Sequence, residues 1–401
     1  MQSNKATHTE LAERPDAAAV STVSGAPTSP LRIAIVGTGG IARVHATALR
    51  SLGGDAHVVA AADIDQERVN EFCDAVDIGA RYLDLDKLLA EQQPDLVHLC
   101  TPPGVHRDQA LACLDAGASV LVEKPPTLSL RDLEQLAAAQ RPGGPYVATV
   151  FQHRFGSGAL RLRALIDAGV LGRPLVAACH TTWYRAQSYF DVPWRGRWST
   201  EGGGPTMGHG IHQMDLLLAL LGDWVEVSAI ARQQARRTET EDVSLAHVTF
   251  ASGAVASIVN SLVSVQEESR LRFDFEFATV ELTHRYGYGD ADWRITPAPG
   301  HEEQVMEAWS AGPAGEPSGH RAQFAHVHRA LRAGTAPPVT TDEALRTLRL
   351  VAGIYASAFQ RRTVEPAELG PDSPFYGRMD GVEPYWGPAR NQGTTTEAGS
   401  R

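Results

Sequence analysis

Between residue 31 and about residue 150, short unbroken apolar runs alternate with stretches whose apolar positions recur every three or four residues. The runs "LRIAIVG", "HVVAAAD", "LVHLCTP", "SVLVEKP" and "PYVATVF" lack polar alternation, as expected of strands buried on both faces. Between them, "ARVHATALRSL", "DQERVNEFCDAV" and "HRDQALACLDAG" have helical period, and a further helix precedes the final strand. Strands joined by helices imply a parallel sheet covered on both faces, so residues 31–150 are read as a doubly wound α/β domain.

From residue 151 to residue 370 the pattern changes. A helix, "GALRLRALIDAG", is followed by the long alternating segments "PLVAACHTTWYR", "EVSAIARQQ", "VSLAHVTFASGAVASIVNSLV" and "LRFDFEFATVELTHR". The third turns at Ser252-Gly253, and together they predict a large open sheet, mostly antiparallel. Two late helical patterns, "RAQFAHVHRALRAG" and "TDEALRTLRLVAGIYASAFQRR", complete an α+β domain. Residues 1–30 are rich in Ala, Ser, Thr and Pro without apolar period and read as a disordered leader. Residues 371–401 read as an arm and tail, in which Phe375, Tyr376, Tyr385 and Trp386 suggest packing on something, such as a neighbouring subunit.

A length of 401 residues suits two domains with separate cores. The net charge of -11 is spread along the chain, which disfavours nucleic acid or an anionic membrane surface as partner and leaves a small molecule. Cys73, Cys100, Cys113 and Cys179 have no CxxC spacing and read as reduced thiols of a cytoplasmic protein. No apolar run approaches the roughly 18 residues of a membrane span, and the N-terminus has no hydrophobic signal core.

The first strand runs into "GTGGIARVHA", which sets Gly37, Gly39 and Ala42 in a Gly-x-Gly-x-x-Ala pattern at a strand-to-helix turn. Gly37 permits the tight turn, Gly39 lets the backbone approach a pyrophosphate, and Ala42 lets helix and strand pack closely. Thr38, Gly40 and Ile41 belong to the same loop. Asp63 ends the second strand, where a carboxylate can accept from both ribose hydroxyls and repel a 2'-phosphate. No Arg follows in "IDQ", so NAD is expected rather than NADP.

"LCTPPGVH" and "VLVEKPP" each end a strand, so both loops open at the carboxyl edge of the sheet. Taken in order, "GTGGIARVH", "TPPGVH", "EKP" and "GGGPTMGHGIHQMD" resemble the Gfo/Idh/MocA family of NAD(P)-dependent oxidoreductases, whose founding members act on sugars and inositols. The resemblance runs from about residue 31 to residue 365 and includes "VTTDEALRTLRLVAGIYASA" near its end. It implies a Rossmann domain whose cofactor contacts include Thr101, Pro102, His106, Glu123 and Lys124. It also implies that Lys124, before a cis Pro125, reaches between nicotinamide and substrate, where a desolvated lysine assists proton transfer. His212 matches the histidine of the family's Asp-x-Gly-x-His pattern, and imidazole suits acceptance of an alcohol proton.

One position departs from that pattern. Four residues before His212, where the family usually has aspartate, stands Gly208. The missing carboxylate leaves its task to His209, to a residue from elsewhere such as Tyr184 or Glu201, or to a different substrate geometry. His209, His212 and Asp215 share a helical spacing that zinc sites sometimes use, but no third nitrogen or sulfur ligand is near, so no metal is expected. His153 and Arg154 in "FQHRF", Trp183, Tyr184 and Arg185 in "TTWYR", and Trp194 and Arg195 in "VPWRGRW" offer aromatic faces and polar groups suited to a carbohydrate. The function expected is NAD-dependent oxidation of a secondary hydroxyl on a sugar, glycoside or cyclitol, with Lys124 and His212 handling the proton. Two other readings are glycoside hydrolysis through transient C3 oxidation and elimination, and a non-catalytic NAD-binding sensor. A broad sheet face implies a homodimer or homotetramer.

Overall fold

The computed structural model describes residues 30–382. The proposed leader, and Tyr385 and Trp386 of the C-terminal arm, lie outside the described residues. The first layer is a six-stranded parallel sheet in the order β3-β2-β1-β4-β5-β6. Its strands are β1 (Leu31–Val36), β2 (Ala56–Ala62), β3 (Ala80–Tyr82), β4 (Leu96–Leu99), β5 (Ser119–Val122) and β6 (Val147–Thr149). Helices α1 (Gly40–Ser51), α2 (Gln66–Val76), α3 (Leu85–Gln92), α4 (His106–Asp115) and α5 (Leu130–Ala139) connect them. The central strands are buried on both faces, which accounts for their continuous apolar composition. Helix starts carry their signals: Asp65 caps α2 by accepting from the amides of Glu67 and Arg68, and Ser129 caps α5 through the amide of Asp132.

The three-residue β3 and the helix α3 were not expected from sequence. A strand of this length shows no period, and "LDKLLAEQ" spans barely two turns.

The second layer begins with α6 (Ser157–Asp167) and β7 (Pro174–Tyr184), followed by α7 (Pro205–Gly208) and α8 (Ile211–Leu221). Strands β8 (Trp224–Arg232), β9 (Val243–Phe250), β10 (Val255–Ser261), β11 (Val263–Phe275), β12 (Ala278–His284) and β13 (Trp293–Pro297) complete a seven-stranded sheet. Its order is β13-β12-β11-β7-β10-β9-β8, antiparallel except where β10 lies parallel to β7. The turn expected at Ser252-Gly253 joins β9 to β10, with Gly253 at φ 85°. "LRFDFEFATVELTHR" is two strands rather than one, because the chain reverses at Glu276 and Phe277 and Arg173 ties that turn through both its amide and its guanidinium to Glu276. The elements β13 and α9 (Glu302–Ala311) were also not foreseen.

The last two helices return to the first layer. Helix α10 (His320–Arg332) packs on α1, burying Phe324 and Val327 among Ile33, Ile35 and Leu49, and Gln323 donates to the Thr149 carbonyl at 2.7 Å. Helix α11 (Thr341–Gln360) lies against α5 and β8, so one apolar core runs through both layers. Its start is a capping box in which Thr340 and Glu343 satisfy each other's amides. Phe375 is fully buried and its ring lies 6.2 Å from that of Phe359, so this part of the arm packs on its own chain rather than on a neighbour. No helix among the described residues is long and apolar enough to cross a membrane.

Arg154 anchors the junction between layers. Its guanidinium binds Asp215 of α8 through two bonds of 2.7 and 2.6 Å and Glu343 of α11 at 2.6 Å, while Thr347 donates to Asp215 at 3.0 Å. Asp215 is fully buried, so it depends on this partner. Replacing Arg154 with Met is expected to cost ~3–5 kcal/mol of unfolding free energy, read by denaturant titration. A loss below about 1 kcal/mol would show that Asp215 is solvated or neutral in the folded chain.

Candidate active site

The carboxyl ends of β1, β2, β4 and β5 open into a cleft of about 740 Å³ that the second layer closes from above. On the lower side, Gly37 turns at φ 83°, and a Cβ there would sit 2.8 Å from the Cys100 carbonyl carbon and the Thr101 nitrogen. The turn therefore requires glycine both for its conformation and for its contact with the loop after β4. Gly39 and Gly40 are different: a Cβ on either would meet nothing within 4 Å, so that side of their backbone faces open space. Gly39 is also the N-cap of α1 and supplies no side-chain acceptor, which leaves the first-turn amides free to meet an anion.

Asp63 is fixed at the end of β2. Its Oδ2 accepts from the Thr38 amide at 2.8 Å and the Thr38 hydroxyl at 2.9 Å, and its Oδ1 accepts from the Asp65 amide at 3.0 Å.

Glu123 and Lys124 follow β5. Glu123 Oε1 meets His45 Nε2 of α1 at 2.8 Å and His320 Nε2 of α10 at 3.2 Å, and His45 Nδ1 lies 3.0 Å from His98 Nδ1 of β4. Burial alone would raise the Glu123 carboxyl, but His320 and His45 hold it well below the usual range. The His45, Glu123 and His320 ligand atoms all lie within 4.8 Å of one another. Both imidazole nitrogens are within hydrogen-bonding distance of one carboxylate oxygen, so the three side chains form a buried hydrogen-bonded array. The Lys124–Pro125 peptide is cis, and Lys124 Nζ donates to the Gly208 carbonyl at 2.9 Å. Burial lowers the lysine's pKa, against the opposing fields of Glu123 and Glu201.

The upper side comes from α7, α8 and the loop after β7. The run Gly202–Gly204 is a packing device as well as a turn: a Cβ at Gly204 would sit 2.0 Å from the Glu241 carbonyl oxygen. Glu241, buried with its pKa pushed up to about 7, accepts from the amides of Gly204 and Thr206 and from Tyr355. That anchorage presents Gly208, His209 and His212 to the cleft. Burial and then the Lys124 charge push both imidazoles well below their usual pKa, so each is neutral near pH 7. The Nδ1 atoms of both have no hydrogen-bond partner among the described residues.

Of the residues expected from sequence to meet a cofactor, Gly37, Gly39, Gly40, Ile41, Asp63, Thr101, Pro102, Glu123 and Lys124 line the cleft. Thr38 and His106 do not. Thr38 turns inward to hold Asp63, and His106 is a buried strut between the carbonyls of Thr101 and Pro125 at 2.8 and 3.0 Å. On the substrate side Trp194, Arg195, His209 and His212 line the cleft, together with Trp183 and Arg185. Three others are corrected. Arg154 is consumed by its buried ion pairs. His153 lies behind His212, with ring centroids 5.0 Å apart, and is held by the Tyr286 carbonyl. Tyr184 does not line the cleft, and its ring lies under Arg236. His45 and His98, which sit behind Glu123, and His320, Gln152, Tyr189 and Tyr286 of the lining were missed. His98, His320, Tyr189 and Tyr286 come from distant elements and carry no local motif; His45, by contrast, closes the segment "GTGGIARVH" and stands inside an otherwise apolar helix face.

A glycine-turn cradle, a fixed carboxylate at the end of the second strand and a roofed cleft at the sheet's carboxyl edge define a dinucleotide-binding protein of two layers. Comparison with known proteins names the family: residues 31–149 match the oxidoreductase family with NAD-binding Rossmann fold, and residues 159–281 match the GFO/IDH/MocA C-terminal domain. The chain belongs to the GFO/IDH/MocA family. It is 31% identical to D-glucoside 3-dehydrogenase of Escherichia coli over 50% of this chain and 56% of that one, so the alignment spans little more than half of that relative. It is 28% identical to D-apiose dehydrogenase of Paraburkholderia graminis, over 85% of this chain and 91% of that one. Among solved structures, the WlbA dehydrogenase of Bordetella pertussis in complex with NADH and UDP-GlcNAcA superposes with a TM-score of 0.75 at 27% identity, covering 84% of this chain and 98% of that one.

Because a side chain at position 37 would collide with backbone, Gly37→Ala is expected to lower stability by about 1–3 kcal/mol and weaken NADH binding, measured by thermal unfolding and fluorescence titration. Unchanged values for both would mean that the turn relaxes without consequence.

Proposed function

We propose that the protein is an NAD-dependent dehydrogenase that oxidises a secondary hydroxyl of a sugar, glycoside or cyclitol. The observation that carries this reading is the meeting of Lys124 and His212 in the same cleft as the glycine cradle and Asp63. The cradle fits a dinucleotide on its own geometry, since the backbone of Gly39 and Gly40 is open on the side where a side chain would otherwise stand. The names of the relatives, which include glucoside, apiose and inositol dehydrogenases, support the substrate class. Trp183, Tyr189 and Trp194 line the same cleft and can pack on the C–H faces of a sugar ring.

Bound nicotinamide supplies the hydride acceptor. The chain supplies the proton handling: neutral His212 accepts the hydroxyl proton, and Lys124 hydrogen-bonds the reacting oxygen and stabilises its developing negative charge. The Gly208 carbonyl keeps the lysine's ammonium aimed across the cleft. Asp63 serves the adenosine ribose, and its negative charge favours NAD over NADP. Val176, Ile230, Leu245 and Val255 are all at least 40% exposed on the outer face of the second sheet, which supports a second copy of the chain covering that face in a dimer or tetramer.

Mixing the protein with NAD and a panel of sugars, glycosides and cyclitols is expected to produce NADH absorbance with at least one of them. Lys124→Ala and His212→Ala are each expected to lower kcat about a hundredfold or more while leaving NADH affinity within several-fold. Tight NADH binding without turnover of any panel member would argue against the reading. Since His212 is held well below its usual value of 6.5, oxidation should persist as the pH falls through that value and be lost only at lower pH, where the imidazole finally protonates. A midpoint near 6.5 would contradict the assignment. Asp63→Ser is expected to reduce the preference for NAD over NADP by about tenfold or more in kcat/KM, a change on the scale of one charge-assisted hydrogen bond. An unaltered preference would remove Asp63 from cofactor choice.

A further inference from the structure

Beside Gly208 the cleft has an open space, and what faces it is a carboxylate from another element. A Cβ built on Gly208 meets a single atom within 4 Å, Oε1 of Glu201, at 3.6 Å. Glu201 is 6% exposed, so its charge stands at the end of a buried side chain rather than in solvent. Its position is fixed twice over. Oε2 accepts from the Gly196 amide at 2.7 Å, and the backbone amide of Glu201 itself donates to the Arg197 carbonyl at 3.0 Å. Oε1 is met by Arg195 Nη1 at 3.3 Å. A carboxylate oxygen can accept more than one hydrogen bond, so Oε1 retains capacity on the side facing the cleft.

The neighbours of that oxygen are those of a reaction centre. Lys124 Nζ is bonded to the carbonyl of Gly208, the residue beside which Oε1 stands. His209 follows Gly208 directly, with its ring centroid 5.5 Å from Trp183 and 5.9 Å from Tyr189. Arg195 lies over the rings of Tyr189 and Trp194 at 4.0 and 4.3 Å, so the cation that faces Glu201 is itself held in place. Glu201, Arg195, Lys124, His209 and His212 all line the one cleft. Had position 208 carried a side chain longer than one carbon, it would have filled this space and met the carboxylate.

We propose that Glu201 is the substrate-binding carboxylate of this site: Oε1 accepts a hydrogen bond from a hydroxyl vicinal to the one oxidised, and this contact makes the protein selective for vicinal diols. The inference rests on the dehydrogenase reading above and adds to it the residue that recognises the neighbouring carbon. Gly208 is what makes room for it. A substrate lacking that hydroxyl leaves the cleft-facing lone pair of a buried carboxylate unfilled, which penalises both its binding and its transition state.

The test pairs the enzyme with its best panel substrate and with analogues that lack one hydroxyl on either side of the oxidised carbon. For the wild type, one of the deoxy analogues is expected to lose about a hundredfold in kcat/KM, the scale of a hydrogen bond to a charged group. Glu201→Ala is expected to reduce kcat/KM for the parent by a similar factor while changing turnover of that deoxy analogue by less than threefold, because the partner it lacks is now absent from both sides. Glu201→Gln, which keeps the volume and one acceptor oxygen, should fall between. Placing an aspartate at the open position, in the double variant Glu201→Ala with Gly208→Asp, is expected to restore at least tenfold of the loss. NADH affinity and thermal unfolding of every variant report whether the fold is kept. Equal losses for parent and deoxy analogue, or no loss for the parent, would overturn the role given to Glu201 while leaving the dehydrogenase reading in place. Absence of any wild-type turnover across the panel would instead remove that reading, and the inference with it.

Discussion

The cleft depends on one buried anion. Glu123 stands at the end of β5 and is met by an imidazole from α1 on one side and by an imidazole from α10 on the other. A carboxylate removed from water is tolerated only when its lone pairs are occupied, and here the two histidines hold it well below the usual range although burial opposes this. The same pairing has a mechanical result. It joins the first helix of the parallel layer to a helix that follows it by more than two hundred residues in the chain, at the edge where the cleft opens. It has an electrostatic result as well, because the negative charge of Glu123 stabilises the ammonium of adjacent Lys124 against the burial that would discharge it.

The second layer then acts as a roof of fixed charges and aromatic faces. Most of its ionic groups are internally matched: Arg185 with Glu267, Arg195 with Glu201, Arg154 with Asp215 and Glu343. A cleft in which cations and anions already face one another does not attract ligands by net charge. It offers them the directions of hydrogen bonds that remain unfilled. The neutral imidazoles of His209 and His212 fit the same description, because burial beside Lys124 disfavours a further positive charge.

Legibility in the sequence varied with the range of the interaction. The glycine turn, Asp63, the Glu-Lys-Pro corner and the histidine of α8 were all recognisable because each belongs to a short segment whose spacing is set by its own backbone. Thr38, His106, His153 and Arg154 were placed in the correct neighbourhood but facing the wrong way. Thr38 holds Asp63 from behind, His106 braces two loops, His153 backs His212, and Arg154 locks α8 to α11. Position along the chain puts a residue near the cleft; only packing decides whether its side chain faces the ligand or supports one that does. The strand β3 and helix α3 escaped for a different reason, being too short for periodicity to register.

By itself the sequence determined the alternation of elements, the parallel layer, the dinucleotide turn and the family, since all of these are written in local period and contiguous motif. The tertiary structure alone decided how α10 and α11 fold back across the first layer, which brings His320 to Glu123 and Glu343 to Arg154. It also decided what stands beside Gly208. From the chain, that position reads as a carboxylate lost. In the folded molecule a loop held by Gly196 and Arg195 carries Glu201 into the space left by the absent side chain. The physical reason is that a site is defined by where atoms converge, and two residues seven positions apart can present their groups to the same point when one contributes only backbone and the other reaches in from a buried turn.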